Sequence, residues 1–220
     1  MGKRSSGATK GLWVAWITLL MIAVVFAEGV TFSLQVHGRH MREKDYRTYL
    51  TKAIAFLSQN SYADALVQAE EAIRRAPERP EPYIMAGHVH YRLKNWERAI
   101  SAYETAVAKG SEDEGARLNT TWALVELKRY DDAIAEAKKA MAAGFTSATF
   151  PRYLAEACWR AGRIADAIPF LEQSLNGFPN DLYLLDHLRQ GYAAINQPAK
   201  AAEVQAKATD IEASLHMGGK

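Results

Sequence analysis

Alanine recurs every 34 residues, at Ala65, Ala99, Ala133, Ala167 and Ala201, with no insertion or deletion between copies. A fixed period of this size restricts the chain to a stacked repeat array, because one unit cannot bury its own apolar face and must bury it against the next. Two further columns keep the register. Seven residues beyond each anchor stand Ala72, Ala106, Ala140, Ser174 and Ala208, and three before it stand Tyr62, Trp96, Tyr130, Ile164 and Pro198. Small residues at fixed places let neighbouring helix backbones approach, so these columns mark the expected seams between units.

Within one copy, 80–113, the residues Tyr83, Ala86, Gly87, His90 and Tyr91 precede Lys94-Asn95, and Trp96, Ala99, Tyr103 and Ala106 follow it. Apolar and small residues spaced three and four apart on each side give two amphipathic helices, and the polar pair between them gives a turn. In the first copy Gln59-Asn60-Ser61 marks the same turn, and Ser61 followed by Asp64 reads as a helix cap with an acidic first-turn residue. Pro198 is expected just inside the second helix of the last copy, where a missing backbone donor costs nothing. Pro77 and Pro179 are expected to stop second helices, and Pro169 to bend one slightly.

This pattern resembles the tetratricopeptide repeat, a helix–turn–helix unit with aromatic, small and proline positions. The first copy carries it in Tyr49, Ala53, Phe56, Ala65, Ala72 and Pro77; the last departs from it, with Arg189 at a small-residue position and no closing proline. The resemblance covers 46–215 as five units, 46–79, 80–113, 114–147, 148–181 and 182–215, with a short tail over 216–220. It implies an all-α fold, a right-handed superhelix of ten helices forming one cooperative domain.

The first 45 residues have a different character. Leu12 to Ala27 is apolar apart from Thr18, and the apolar character continues past Glu28 to Val36. A helix needs about 20 apolar residues to cross a bilayer core. A basic tail over 1–10, a transmembrane signal anchor over 11–36 and a juxtamembrane linker over 37–45 are therefore expected. Trp13 and Trp16 fall at one interface, and Lys3, Arg4 and Lys10 at the N-terminal flank place that end in the cytoplasm and the repeats in the periplasm, as a single-pass inner-membrane protein. The rival reading is a signal peptide cut after Val25-Phe26-Ala27, which leaves a soluble periplasmic domain. Residues 1–45 hold six Lys/Arg against three Asp/Glu and the remainder 21 against 22, so the basic excess belongs to the membrane flanks. The repeats then carry no net field for nucleic acid. The alanine- and arginine-rich helices and the anchor layout suggest a bacterial protein.

No phosphate-cradling loop, paired cysteine, zinc-binding His-Glu-x-x-His or nucleophile elbow occurs, so neither catalysis nor a cofactor, metal or small-molecule substrate is expected. Cys158, the one cysteine, falls on a core position, where an inert thiol is expected. His88 and His90 are two apart on a helix and diverge, a poor metal pair; His37 and His40 follow the apolar run as a solvated pair.

The resemblance implies partner contacts on the concave face, from the second, fifth, ninth, twelfth and thirteenth positions of each first helix. By register these are Leu50, Ile54 and Leu57; Ile84, His88, Tyr91 and Arg92; Leu118, Trp122 and Glu126; Arg152, Glu156, Trp159 and Arg160; and Asp186 and Gln190. Aliphatic members serve equally well as helix packing, whereas aromatic and arginine side chains dominate binding hot spots. Leu50 and Ile54 stand where some family members grip a carboxylate, and cannot donate to one. The expected function is a non-catalytic, membrane-tethered scaffold or adaptor, a structural or assembly subunit of a membrane complex that holds a protein partner. The alternative is a chaperone or transport receptor for transient peptides, periplasmic, or cytosolic if the orientation is reversed.

Overall fold

The computed structural model describes residues 45–217, which form ten helices with no strand among them. The helix α1 covers 45–58 of the described residues. It is followed by α2 (Tyr62–Arg75), α3 (Glu81–Arg92), α4 (Trp96–Ala108), α5 (Glu114–Glu126), α6 (Tyr130–Ala142), α7 (Thr149–Arg160), α8 (Ile164–Gly177), α9 (Leu182–Ala194) and α10 (Pro198–Met217). Among the described residues no helix is long and apolar enough to cross a membrane, and the expected anchor over 11–36 lies outside them.

The alanine columns mark the seams in the first four units, whereas their fifth members, Ala201 and Ala208, are only partly buried. Ala65, Ala99, Ala133 and Ala167 are completely buried, as are Ala72, Ala106, Ala140 and Ser174. From α3 onward each second helix packs on its own first helix, and α2, α4, α6 and α8 each pack on the first helix of the next pair. The backbones of α3 and α5, and of α5 and α7, also meet, whereas no second helix meets the next second helix. First helices therefore line the inner side of a superhelix and second helices splay apart on its outer side.

Every first helix ends in the same way. Asn60, Lys94, Lys128, Gly162 and Asn196, each 34 residues apart, all have φ between 58° and 74°. The next amide reaches back to the last turn: Ser61 N to Phe56 O, Asn95 N to His90 O, Arg129 N to Leu124 O, Arg163 N to Cys158 O and Gln197 N to Tyr192 O, at 2.8–2.9 Å. This is the left-handed C-terminal motif that satisfies orphan helix carbonyls, repeated in each pair. The polar pairs read as turns are these residues. The expected capping by Ser61 is corrected: it occupies the cap position of α2, but its hydroxyl donates to Asp64 at 2.6 Å and caps no backbone amide. The second-helix ends divide into two kinds, with Gly110 and Gly144 at φ 87° and 96° in the middle of the chain, and Pro77 and Pro179 beyond α2 and α8. Pro198 opens α10, and α8 runs unbroken through Pro169 on its exposed side.

The outermost helix differs from the inner ones. The column that buries Ala69, Tyr103, Ala137 and Leu171 carries exposed Gln205, and the column of Ile100 and Ile168 carries exposed Ala202. Over 198–216 of α10 no residue is fully buried, and the outer face of the helix is solvated.

Two expectations follow. Ala99→Leu or Ala133→Leu adds three heavy atoms to a closed seam and should cost about 1–3 kcal/mol, read as a lower midpoint in urea or thermal unfolding. Lys128→Gly should gain about 0.5–1 kcal/mol, because glycine removes the left-handed penalty but loses more backbone entropy; an unchanged midpoint refutes strain at that turn.

Candidate functional site

The inner face is lined by α1, α3, α5, α7 and α9, and its aromatic side chains sit with their bodies in the core and one side open. Tyr91 packs on the Ala99, Tyr103 and Ala116 cluster, Trp122 on the Ile100, Leu124 and Ala133 cluster, and Trp159 on the Leu171, Leu184 and Leu188 cluster. All three are half-buried, so each serves both packing and surface. Tyr91 meets Trp96 edge-on at 5.3 Å, Trp122 lies tilted against Tyr153 at 5.0 Å, and Trp159 meets His187 at 4.6 Å.

Across this row runs a charged rail. Arg160 donates through Nη1 to Glu126 at 3.1 Å, one repeat earlier, and through Nε to Glu156 at 2.6 Å, one turn back on its own helix. Its guanidinium lies over Trp122, 5.4 Å from the ring centre. The second oxygen of Glu156 accepts from the Tyr183 hydroxyl at 2.7 Å. Burial, and then donation to Glu156, pushes the Tyr183 hydroxyl up to about 12. One arginine and two glutamates thus tie α5, α7 and α9 together.

Trp122, Glu126, Glu156 and Arg160, singled out by register, are brought together here. Others stand apart. Arg92 is exposed and turns to the α1–α2 turn, donating to Asn60 at 2.9 Å and to the Tyr62 hydroxyl at 3.1 Å. Arg152 pairs with Asp181 at 2.8 Å and lies over the Phe178 and Tyr183 rings. Asp186 bonds Arg189 and Gln190 of its own helix. Leu50, Leu57, Ile84 and Leu118 are half-buried, the last two packed on core clusters, while Ile54 is 55% exposed. His88 is half-buried with its ring edge-on to Tyr103 at 5.6 Å.

Register reasoning missed Tyr153, Tyr183 and His187. Tyr183 occupies the second position of its helix, a position that the resemblance already names. Tyr153 and His187 share the sixth position, 34 residues apart, and only the packed structure brings that column to the inner face. A cleft of about 470 Å³ on the outer side, between α4 and α6 with α5 as its floor, was also missed, because the splay of second helices leaves no local sequence signal. Arg117 lies in that cleft, paired with Glu136 at 2.9 Å, its Nε buried without an acceptor. Cys158 is buried as expected, and burial pushes its thiol up. His37 and His40 lie outside the described residues.

Residues 50–113 and 84–148 match a family model described as tetratricopeptide repeat. No curated protein matches the chain at a significant level. Among solved structures, MamA from residue 41 onward, of Desulfovibrio magneticus RS-1, is 20% identical with a TM-score of 0.70, over 77% of this chain and 96% of that one. YrrB, described as a TPR protein with an unusual peptide-binding site, is 20% identical with a TM-score of 0.65, over 78% and 91%. PilF of Pseudomonas aeruginosa is 17% identical with a TM-score of 0.64, over 77% of each chain. At such identities the likeness is one of fold.

Burial lowers the pKa of His88, against the opposing charge of Asp113; burial and then Arg98 lower that of His90, against Glu70. A lowered folded pKa means that, below the ordinary value of 6.5, the unfolded chain takes up protons that the folded one refuses. Stability should therefore fall as pH drops below 6.5 and level off once the folded histidines protonate. His88→Gln should flatten that acid limb in denaturant melts, and an identical limb in the variant refutes the assignment.

Proposed function

We propose that this chain, which carries tetratricopeptide repeats, is a non-catalytic protein-interaction adaptor that binds its partner along the concave face. The observation that supports this most is the row of half-exposed aromatic side chains, Tyr91, Trp122, Tyr153, Trp159 and Tyr183, on successive first helices. Large side chains already fixed by packing lose little freedom on binding, which is what anchor residues of an interface need. The Arg160 rail adds a rigid polar element beside them. YrrB supplies an analogy, a fold of this kind with a peptide-binding site.

The five-unit extent rests on the helix pairs outside 50–148 repeating the same turn motif, and on Ala167 and Ser174 being buried like their counterparts in earlier units. The apolar run over 11–36 gives the reason to place the adaptor at a membrane, as a subunit that assembles or holds a complex, with the repeats in the periplasm of a bacterium. A cleaved signal would leave the same groove in a soluble periplasmic protein.

Replacing Tyr91, Trp122 and Trp159 together by Ala tests the groove in a detergent pulldown from membranes. Each anchor is expected to contribute roughly 2 kcal/mol, so partner retention should vanish. Half-buried rings also support the core, so the melt should drop while the chain stays helical at room temperature. Full retention of the partner by the helical variant moves the interface away from the concave face. A fixed stoichiometric partner supports a complex subunit, and a heterogeneous set supports a peptide receptor.

For the tether, the chain should stay in the membrane through high salt and carbonate, since about 20 apolar residues hold a helix there without charge. Release with an N-terminus at Glu28 would assign a cleaved signal.

A further inference from the structure

Resting on the concave-groove reading, we propose that the partner inserts a basic side chain, a lysine or arginine, among Tyr91, Trp122, Tyr153 and Glu126. The chain's own Arg160 demonstrates what this corner attracts: its guanidinium lies 5.4 Å from the Trp122 ring centre while bonding Glu126 and Glu156. Ring faces carry negative potential, and a cation placed over them in a partly dry site gains roughly 0.5–2 kcal/mol.

The charges leave room for a second cation. One guanidinium serves two carboxylates, so the cluster is one negative charge in excess. Both oxygens of Glu156 are engaged, one by Arg160 and one by Tyr183. Glu126 uses only Oε1, and its side chain keeps 30% of its exposure. Burial, then Tyr153 and Glu126, push the Tyr91 hydroxyl up to about 12. The other arginines of the inner face do not neutralise Glu126: Arg152 is held by Asp181, and Arg92 faces Asn60 and Tyr62. An acidic segment would meet repulsion here, and a neutral one would leave the excess negative charge of the cluster uncompensated.

The test uses the full chain in detergent micelles, with nitrogen-labelled tryptophan followed by NMR and the Trp122 indole signal identified by its loss in Trp122→Phe. The probes are acetylated, amidated octapeptides alternating Ala with Arg, with Gln or with Glu. The Arg peptide should shift the Trp122 signal and bind roughly tenfold more tightly than the Gln peptide, with the Glu peptide weakest. Glu126→Gln, which keeps size and shape, should abolish that tenfold preference and leave the Gln peptide unaffected. Equal binding of Arg and Gln peptides, an unaltered preference in Glu126→Gln, or a Trp122 signal silent to all three probes overturns the cationic site. The groove reading falls separately, only if the triple-alanine chain still retains its partner.

Discussion

Close approach of helix backbones at alanine is the constraint on which the rest of this structure depends. Ala65, Ala99, Ala133 and Ala167 have no exposed surface, and each lies where a second helix meets its neighbours. A methyl group is the largest side chain such a seam accepts without displacing a helix, because protein interiors are packed as tightly as crystals. Gly87 takes the logic further: a Cβ there would stand 2.5 Å from the Tyr103 ring, so the aromatic ring lies against bare backbone. Seams that tight on the inner side, with the backbones of successive second helices apart on the outer side, curve the array and create the concave face.

Curvature also explains why the inner face differs chemically from the outer one. Where first helices crowd, a long side chain reaches the next repeat, and a contact spanning 34 residues in sequence becomes a contact between neighbours, as for Arg160 and Glu126. Arg160 is 37% exposed, so its ion pairs contribute modestly to stability. Their effect is geometric: a planar guanidinium held on two carboxylates and a ring fixes the relative rotation of α5 and α7. In the N-terminal part of the face Arg92 bonds instead to the α1–α2 turn, and Ile54 is open to water there.

Sequence periodicity revealed the seams and the helix boundaries because both depend on local rules, small residues at contacts and punctuation between helices. Tyr62, Trp96, Tyr130, Ile164 and Pro198, one column of the repeat, are the first residues of their helices, as expected for Pro198. The left-handed turn column was only partly legible, since Lys94 and Lys128 carry no glycine signal and are held at positive φ by the bonds around them. The inner-face cluster was half legible. Register named Trp122, Glu126, Glu156 and Arg160, but the pairing of Trp122 with Tyr153 depends on how α5 and α7 cross, which no single helix encodes.

The solvated outer face of α10 has a consequence for stacking. With Gln205 and Ala202 where inner helices present Leu171 and Ile168, another first helix stacked there would bury an amide without a partner. Helix α10 is thus a polar cap on its side of the described array, and the inner-face aromatic side chains on α3, α5, α7 and α9 stand at successive repeat steps from that cap.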